Sequence, residues 1–246
     1  MPATLPPSKG TLYLLPVPLG NSPIDSVLPA QAISITRKLN HFVVENAKTA
    51  RAVLKLFDHP TPLREIVMTE LNEHTPSGVV GDFLQVALEG QDIGLMSEAG
   101  CPAVADPGSR LVELAHRANI RVVPVVGPSS ILLALMASGM NGQRFSFNGY
   151  LPAKEPERTM ALQKLESESR RHKGVEIFIE TPYRNASMLE ALLKLKPDNR
   201  LCVACDLTLP TEWIKSASIA DWRRMADKPD LDRRPAIFLL QARSSI

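Results

Sequence analysis

The stretch that most constrains this chain is Leu95–Arg110, LMSEAGCPAVADPGSR. A short apolar run, Ile93–Met96, leads into it and reads as a buried strand. The side chains then become small (Ser97, Ala99, Gly100, Pro102, Ala103, Ala105) before Asp106-Pro107-Gly108 closes the loop. Asp106 can cap a helix whose first residue is Pro107. Leu111, Val112, Leu114, Ala115 and Ala118 follow at helical spacing. Strand-to-helix loops usually run about two to six residues. This one runs about ten, at the carboxyl end of a strand, where open α/β sheets bind ligands.

The same alternation extends on both sides. Thr11–Pro16, His41–Glu45, Glu65–Met68 and Arg121–Val126 read as strands. Asp25–Leu39, with Pro29 in its first turn or as a kink, Ala47–Phe57, Val79–Glu89 and Pro107–Asn119 read as helices. This order predicts a mostly parallel N-terminal sheet. Gly127-Pro128-Ser129-Ser130 forms a second strand–turn–helix junction, with Ser129 as cap and Ile131–Ser138 as the helix. Beyond it, Arg144–Gly149, Val175–Glu180, Leu201–Cys205, Thr211–Lys215 and the strongly apolar Pro235–Gln241 read as strands. Glu155–His172, Tyr183–Leu195 (with Pro182 at its start) and Ile219–Met225 read as helices. More strands per helix predict a mixed C-terminal sheet. The expected organisation is a disordered lead-in at 1–9, an N-terminal α/β domain at 10–127 and a C-terminal α/β domain at 128–246.

Composition removes several classes. The net charge of +2 is too small to argue for nucleic acid, although residues 151–246 hold 17 basic and 14 acidic side chains against 11 and 12 in residues 1–150. GxxxxGK[ST], GxGxxG after a strand and GxSxG are all missing. Cys202 and Cys205 have CxxC spacing, but on a strand residues three apart point to opposite faces, and no second Cys/His pair completes a metal site. Three cysteines, no apolar run of membrane length and no signal-peptide core at MPATLPPSKG give the expectation of a reducing, cytoplasmic compartment. What remains is a set of small-residue loops at strand ends that suits a flat, partly apolar ligand.

Gly10–Asn21 (GTLYLLPVPLGN), Leu95–Arg110, Val122–Ser130 (VVPVVGPSS), Ala137–Gly139, Arg144–Lys154 (RFSFNGYLPAK) and Glu180–Arg184 (ETPYR), in this order, resemble the class III S-adenosylmethionine-dependent methyltransferases, the tetrapyrrole methylase superfamily. Within it the chain looks most like the small-subunit ribosomal RNA 2′-O-methyltransferase I family. The resemblance implies two α/β domains with a cofactor cleft between them, a homodimer and a ribosomal RNA substrate. It implies S-adenosylmethionine contacts at Pro18, Glu98, Gly100, Cys101, Pro102, Ala103, Ser129, Ser130, Leu151, Tyr183, Leu207, Pro235 and Ala236. Glu45 and Glu73 are the carboxylates expected to take the proton from a ribose hydroxyl. Arg170, Arg171 and Lys173 are placed to meet phosphates.

The family's Glu-Asp-Thr-Arg run is Glu45-Asn46-Ala47-Lys48 here, and its late Lys-Gly-Glu is Arg234-Pro235-Ala236, closer to the tetrapyrrole branch. Two alternatives therefore stand beside rRNA methylation: methylation of a small molecule such as a tetrapyrrole, and a cofactor-binding module without turnover.

Overall fold

The structure, a computed structural model, describes residues 8–243. It divides into two compact units between Ser129 and Ser130. Most of the lead-in expected at residues 1–9 lies outside the described residues.

The first unit runs β1 (Thr11–Leu14), α1 (Ile24–Val27), α2 (Ala30–Thr36), β2 (His41–Val44), α3 (Ala47–Leu56), β3 (Val67–Glu70), a 3₁₀ segment (Ser77–Leu84), α4 (Gln85–Leu88), β4 (Ile93–Met96), α5 (Gly108–Arg117) and β5 (Arg121–Pro124). Its sheet has the order β3-β2-β4-β1-β5, and every pairing is parallel. Crossovers from β1 to β2 and from β2 to β3 move one way and carry α1, α2 and α3 on one face. Crossovers from β3 to β4 and from β4 to β5 move the other way and carry the 3₁₀ segment, α4 and α5 on the other face. Side chains alternate accordingly. Leu12, Val43, Ile93 and Leu95 meet Val80, Leu84, Leu111 and Ala115, while Leu15, Phe42, Val44 and Met96 meet Leu28, Ala50, Leu54 and Phe57. Chain leaving β2 thus departs one way and chain leaving its neighbour β4 the other. The crevice between their carboxyl ends is the topological switch point.

Three expected elements differ. Pro29 splits the helix expected at Asp25–Leu39: it sits in extended backbone as the N-cap of α2 (φ −60°, ψ 145°), and Leu28 before it is extended too. The helix expected at Val79–Glu89 is mostly 3₁₀, because Gly78, Gly81 and the β-branched pair Val79-Val80 weaken α-helix. The third strand lies two residues later than Glu65–Met68, since Val67 N donates to Asn40 O and the ladder follows β2 from there.

The second unit runs α6 (Ser130–Ser138), β6 (Phe145–Tyr150), α7 (Glu157–His172), β7 (Val175–Ile179), α8 (Asn185–Leu192), β8 (Arg200–Cys205), β9 (Trp213–Ser218), α9 (Ile219–Arg224) and β10 (Ala236–Gln241). The expected helix at Tyr183–Leu195 starts as a 3₁₀ turn, Pro182–Arg184, and becomes α only at Asn185. The strand expected at Thr211–Lys215 is shifted to Trp213–Ser218, in register with β8. The sheet has the order β6-β7-β10-β8-β9, mixed as expected, with the apolar β10 at its centre. Trp222 is fully buried in this core and its Nε1–H donates to Leu201 O at 2.9 Å. Phe178 and Phe238 stack at 5.7 Å.

Gly94 lies mid-sheet between Tyr13 and Phe42, and a Cβ there would come within 2.5 Å of Leu15 Cδ1 and 2.9 Å of Phe42 Cδ1. Overpacking of this kind costs about 3 kcal/mol. Gly94→Val is therefore expected to shift the urea midpoint down, while Gly81→Ala, with nothing within 4 Å of its Cβ, leaves it in place or raises it.

Candidate functional site

A cleft of about 680 Å³ opens at the switch point of the first unit. Its walls come from the chain after β2 (Glu45, Asn46), after β3 (Asn72, Glu73, His74) and after β4 (Glu98, Ala103, Ala105–Pro107, Ser109, Arg110). Each wall is pinned locally. Asn46 Oδ1 caps α3, accepting from Lys48 N at 2.9 Å and Thr49 N at 3.2 Å. Glu70, ending β3, accepts from Ala47 N at 2.8 Å, a negative charge at a helix N-terminus. Glu45 Oε2 accepts from Glu98 N at 3.1 Å, and Thr49 Oγ1 donates to Glu98 Oε1 at 3.3 Å. Asn72 Oδ1 accepts from His74 N at 3.0 Å. Glu73 stands at the exposed rim, 3.5 Å from His74 Nε2.

The long loop after β4 is folded tightly on itself. Gly100, Ala103 and Ala105 have φ of +71°, +65° and +60°, a left-handed conformation that costs an alanine about 1 kcal/mol. Asp106 compensates by holding the loop at two points: Oδ2 accepts from Ala103 N at 2.8 Å and Oδ1 from Gly108 N at 2.7 Å. The helix begins one residue later than expected, at Gly108. Burial pushes the Asp106 carboxyl up to about 6, against the pull of those two N–H groups, and the nearby Glu45 charge adds to the rise.

Two other loops are fastened to this one. Val17 and Gly100 exchange backbone hydrogen bonds at 2.9 and 3.2 Å, which sets Pro18 beside Gly100–Ala103. Cys101 Sγ lies 3.3 Å from Pro128 O, which brings in the Gly127–Ser129 turn. Burial raises the Cys101 thiol above its usual range, so it is a thiol rather than a thiolate.

The second unit gathers its own cluster at one sheet end, where β6, β7 and β8 finish and β10 begins. Asp206 N donates to Pro235 O at 3.0 Å, and Arg234 Nε donates to the largely buried Asp206 Oδ2 at 2.8 Å. Leu207 and Pro235–Ala236 are thereby neighbours. Asn185 Nδ2 donates to Arg234 O at 2.6 Å, and Tyr183, 75% exposed, carries the Arg233 guanidinium 6.0 Å from its ring centre. Glu180 Oε1 accepts from Thr181 N at 2.6 Å and from Arg184 Nε at 2.9 Å, which locks the turn before Tyr183. Leu151, just after β6, is buried in the same core. Ser130 starts α6, whose other end, at Ser138, accepts from Ser216 and Arg200 at the far sheet edge.

The structure therefore brings Pro18, Glu98, Gly100, Cys101, Pro102, Ala103 and Ser129 together in the first unit, with Glu45 and Glu73 on the cleft beside them. Ser130, Leu151, Tyr183, Leu207, Pro235 and Ala236 share one end of the second unit. Sequence reading missed Asn46, Asn72 and Arg110 as cleft residues and treated Asp106 only as a cap. The Asp-Pro-Gly triplet was the available signal for Asp106. Cys202 and Cys205 are buried on a strand, with thiols pushed up to about 12 and 11 by burial. Among the described residues no cluster of His, Cys, Asp or Glu could hold a metal ion, and no helix is long and apolar enough to cross a membrane.

Removing one partner of a buried ion pair costs about 3 kcal/mol or more. Arg234→Met, which leaves Asp206 only its hydrogen bond from Thr211 Oγ1 and no charge partner, is expected to lower the unfolding free energy of the second unit by about that amount, read by urea titration of tryptophan fluorescence.

Comparison with known proteins fits this geometry. Residues 11–222 match the model of the tetrapyrrole (corrin/porphyrin) methylases. The chain is 33% identical over 222 residues to the ribosomal RNA small subunit methyltransferase I of Pseudomonas aeruginosa, covering 87% of this chain and 73% of that protein. It is 32% identical over 234 residues to the protein of the same name from Escherichia coli O157:H7, covering 95% and 77%. Among solved structures, the methyltransferase CobJ aligns with a TM-score of 0.62 at 17% identity over 95% of this chain and 94% of that one. The cobalt precorrin-4 methyltransferase CbiF aligns with a TM-score of 0.59 at 15% identity over 94% of each chain. Two α/β units with these sheets, the small-residue loops at their ends and a family match across most of the chain lead to one conclusion: this protein is a methyltransferase that belongs to the tetrapyrrole (corrin/porphyrin) methylase family.

Proposed function

We propose that the chain transfers a methyl group from S-adenosylmethionine to the 2′-hydroxyl of a ribose in small-subunit ribosomal RNA. The observation that carries this reading is the 32–33% identity, over most of the chain, to proteins named for that RNA. The residues present fit the donor. Ala99, Ala103 and Ala105 have nothing larger than a methyl, so a ligand can reach the backbone, and Ser129 adds a hydroxyl. In the second unit Leu151, Leu207 and Ala236 are buried apolar side chains, and Tyr183 is exposed. The carboxylates of Glu45, Glu73, Glu98 and Asp106 around one cleft favour a cationic ligand.

When bound, the donor supplies a methyl carbon on a positively charged sulfur. On this reading Pro18, Glu98, Gly100, Cys101, Pro102, Ala103 and Ser129 of the first unit hold it. Alignment of the acceptor oxygen, the methyl carbon and the sulfur provides about 7–11 kcal/mol of barrier reduction. Glu45 and Glu73 line the cleft where the acceptor hydroxyl enters and supply negative charge beside it. The protein acts as a homodimer in the cytoplasm, where ribosomes assemble.

One observation favours a second reading. Four carboxylates against Arg110 repel a polyanion, which suits an uncharged or cationic small molecule such as a tetrapyrrole derivative better than RNA. Incubation of the purified protein with methyl-labelled S-adenosylmethionine and small ribosomal subunits isolated from cells lacking the gene separates the two. The rRNA reading predicts label in RNA at a bond resistant to alkaline hydrolysis. Unlabelled RNA, or label on a base, overturns it. Light scattering reads the dimer in the same preparation.

A further inference from the structure

Resting on the hydroxyl-methylation reading above, we propose that Asp106, with Glu45 beside it, is the group that takes the proton of the acceptor hydroxyl. Asp106 lines the cleft at the carboxyl end of β4, and Glu45 lines it at the carboxyl end of β2, the two neighbours of the switch point. Unlike Glu73, whose side chain is 85% exposed at the rim, Asp106 is held from two sides. Ala103 N and Gly108 N each donate to a different carboxylate oxygen, at 2.8 and 2.7 Å. A carboxylate accepts about four hydrogen bonds, so each oxygen keeps a free lone pair.

The surroundings make room for this one group. A Cβ on residue 108 would stand 2.7 Å from Asp106 Oδ1, so the glycine leaves the carboxylate its place. The other charged groups lining the cleft are Glu45, Glu73, His74, Glu98 and Arg110. Burial with a carboxylate neighbour raises the proton affinity of Asp106 to about 6, in the range where a base is ionised at neutral pH yet still binds a proton well.

In the step itself the hydroxyl oxygen forms its bond to the methyl carbon as the carbon–sulfur bond breaks, and that bond's electron pair stays on sulfur. The hydroxyl proton passes to Asp106 and from there to water.

Single-turnover methylation of small ribosomal subunits across pH tests this. The wild-type rate should rise with pH through a midpoint near 6 and then level. Asp106→Asn should lose about 10²–10⁴-fold in rate at saturating donor, and Gly108→Ala, which displaces the carboxylate, should lose rate in the same direction. Glu45→Gln removes the neighbouring charge and should move the midpoint down, a readout that remains if Asp106→Asn fails to fold. An unchanged rate in Asp106→Asn, or an unmoved midpoint in Glu45→Gln, overturns the assignment of Asp106 and leaves RNA methylation standing. A wild-type protein that labels no RNA removes both.

Discussion

The site in the first unit depends on a single pair of backbone hydrogen bonds, those exchanged by Val17 and Gly100. The chain leaving β1 and the chain leaving β4 set off in opposite directions, so nothing in the parallel sheet itself keeps their first residues together. The bridge does. Glycine at residue 100 favours it: φ is +71°, and a Cβ would come within 3.1 Å of Leu19 and 3.4 Å of Pro128 O. With Gly100 fixed, Cys101 reaches the Gly127–Pro128 carbonyls, and Asp106 closes the remainder of the loop. One interaction therefore assembles residues separated by more than a hundred positions in sequence.

Much of this was legible in the residues because the physics is local. Continuous apolar runs such as Ile93–Met96 and Ala236–Gln241 mark strands buried on both faces, and both are central in their sheets. The small residues after Met96 announced a loop in which backbone matters more than side chains. The expected α/β class, parallel first sheet and mixed second sheet are what the structure has. The differences arise where two local preferences compete. Pro29 could open a helix or break one, and extended backbone at Leu28 decided for breaking. Two glycines and two valines made Ser77–Leu84 a 3₁₀ segment despite its apolar spacing.

The polar side chains were harder to read, because their partners lie far away in sequence. Glu45 was recognisable as a carboxylate after a strand, but its bond to Glu98 N spans 53 positions. Asp106 looked like a cap, and it does bond to Gly108 N. Its second bond, to Ala103 N, is made within the loop itself, whereas its position against Glu45 follows from the sheet order. In the second unit, nothing local signals that Arg234 satisfies the buried Asp206, 28 positions away. Electrostatic roles of this kind emerge once strands are neighbours.

The central claim is that a loop cluster built around Gly100 receives an adenosyl sulfonium. The most direct test is calorimetric titration of S-adenosylmethionine into the intact protein and into Gly100→Val, with circular dichroism confirming the fold of each. The account predicts saturable binding to the wild-type chain and loss of that binding in the folded variant. Equal binding by both proteins, or none by the wild type at millimolar donor, would contradict it.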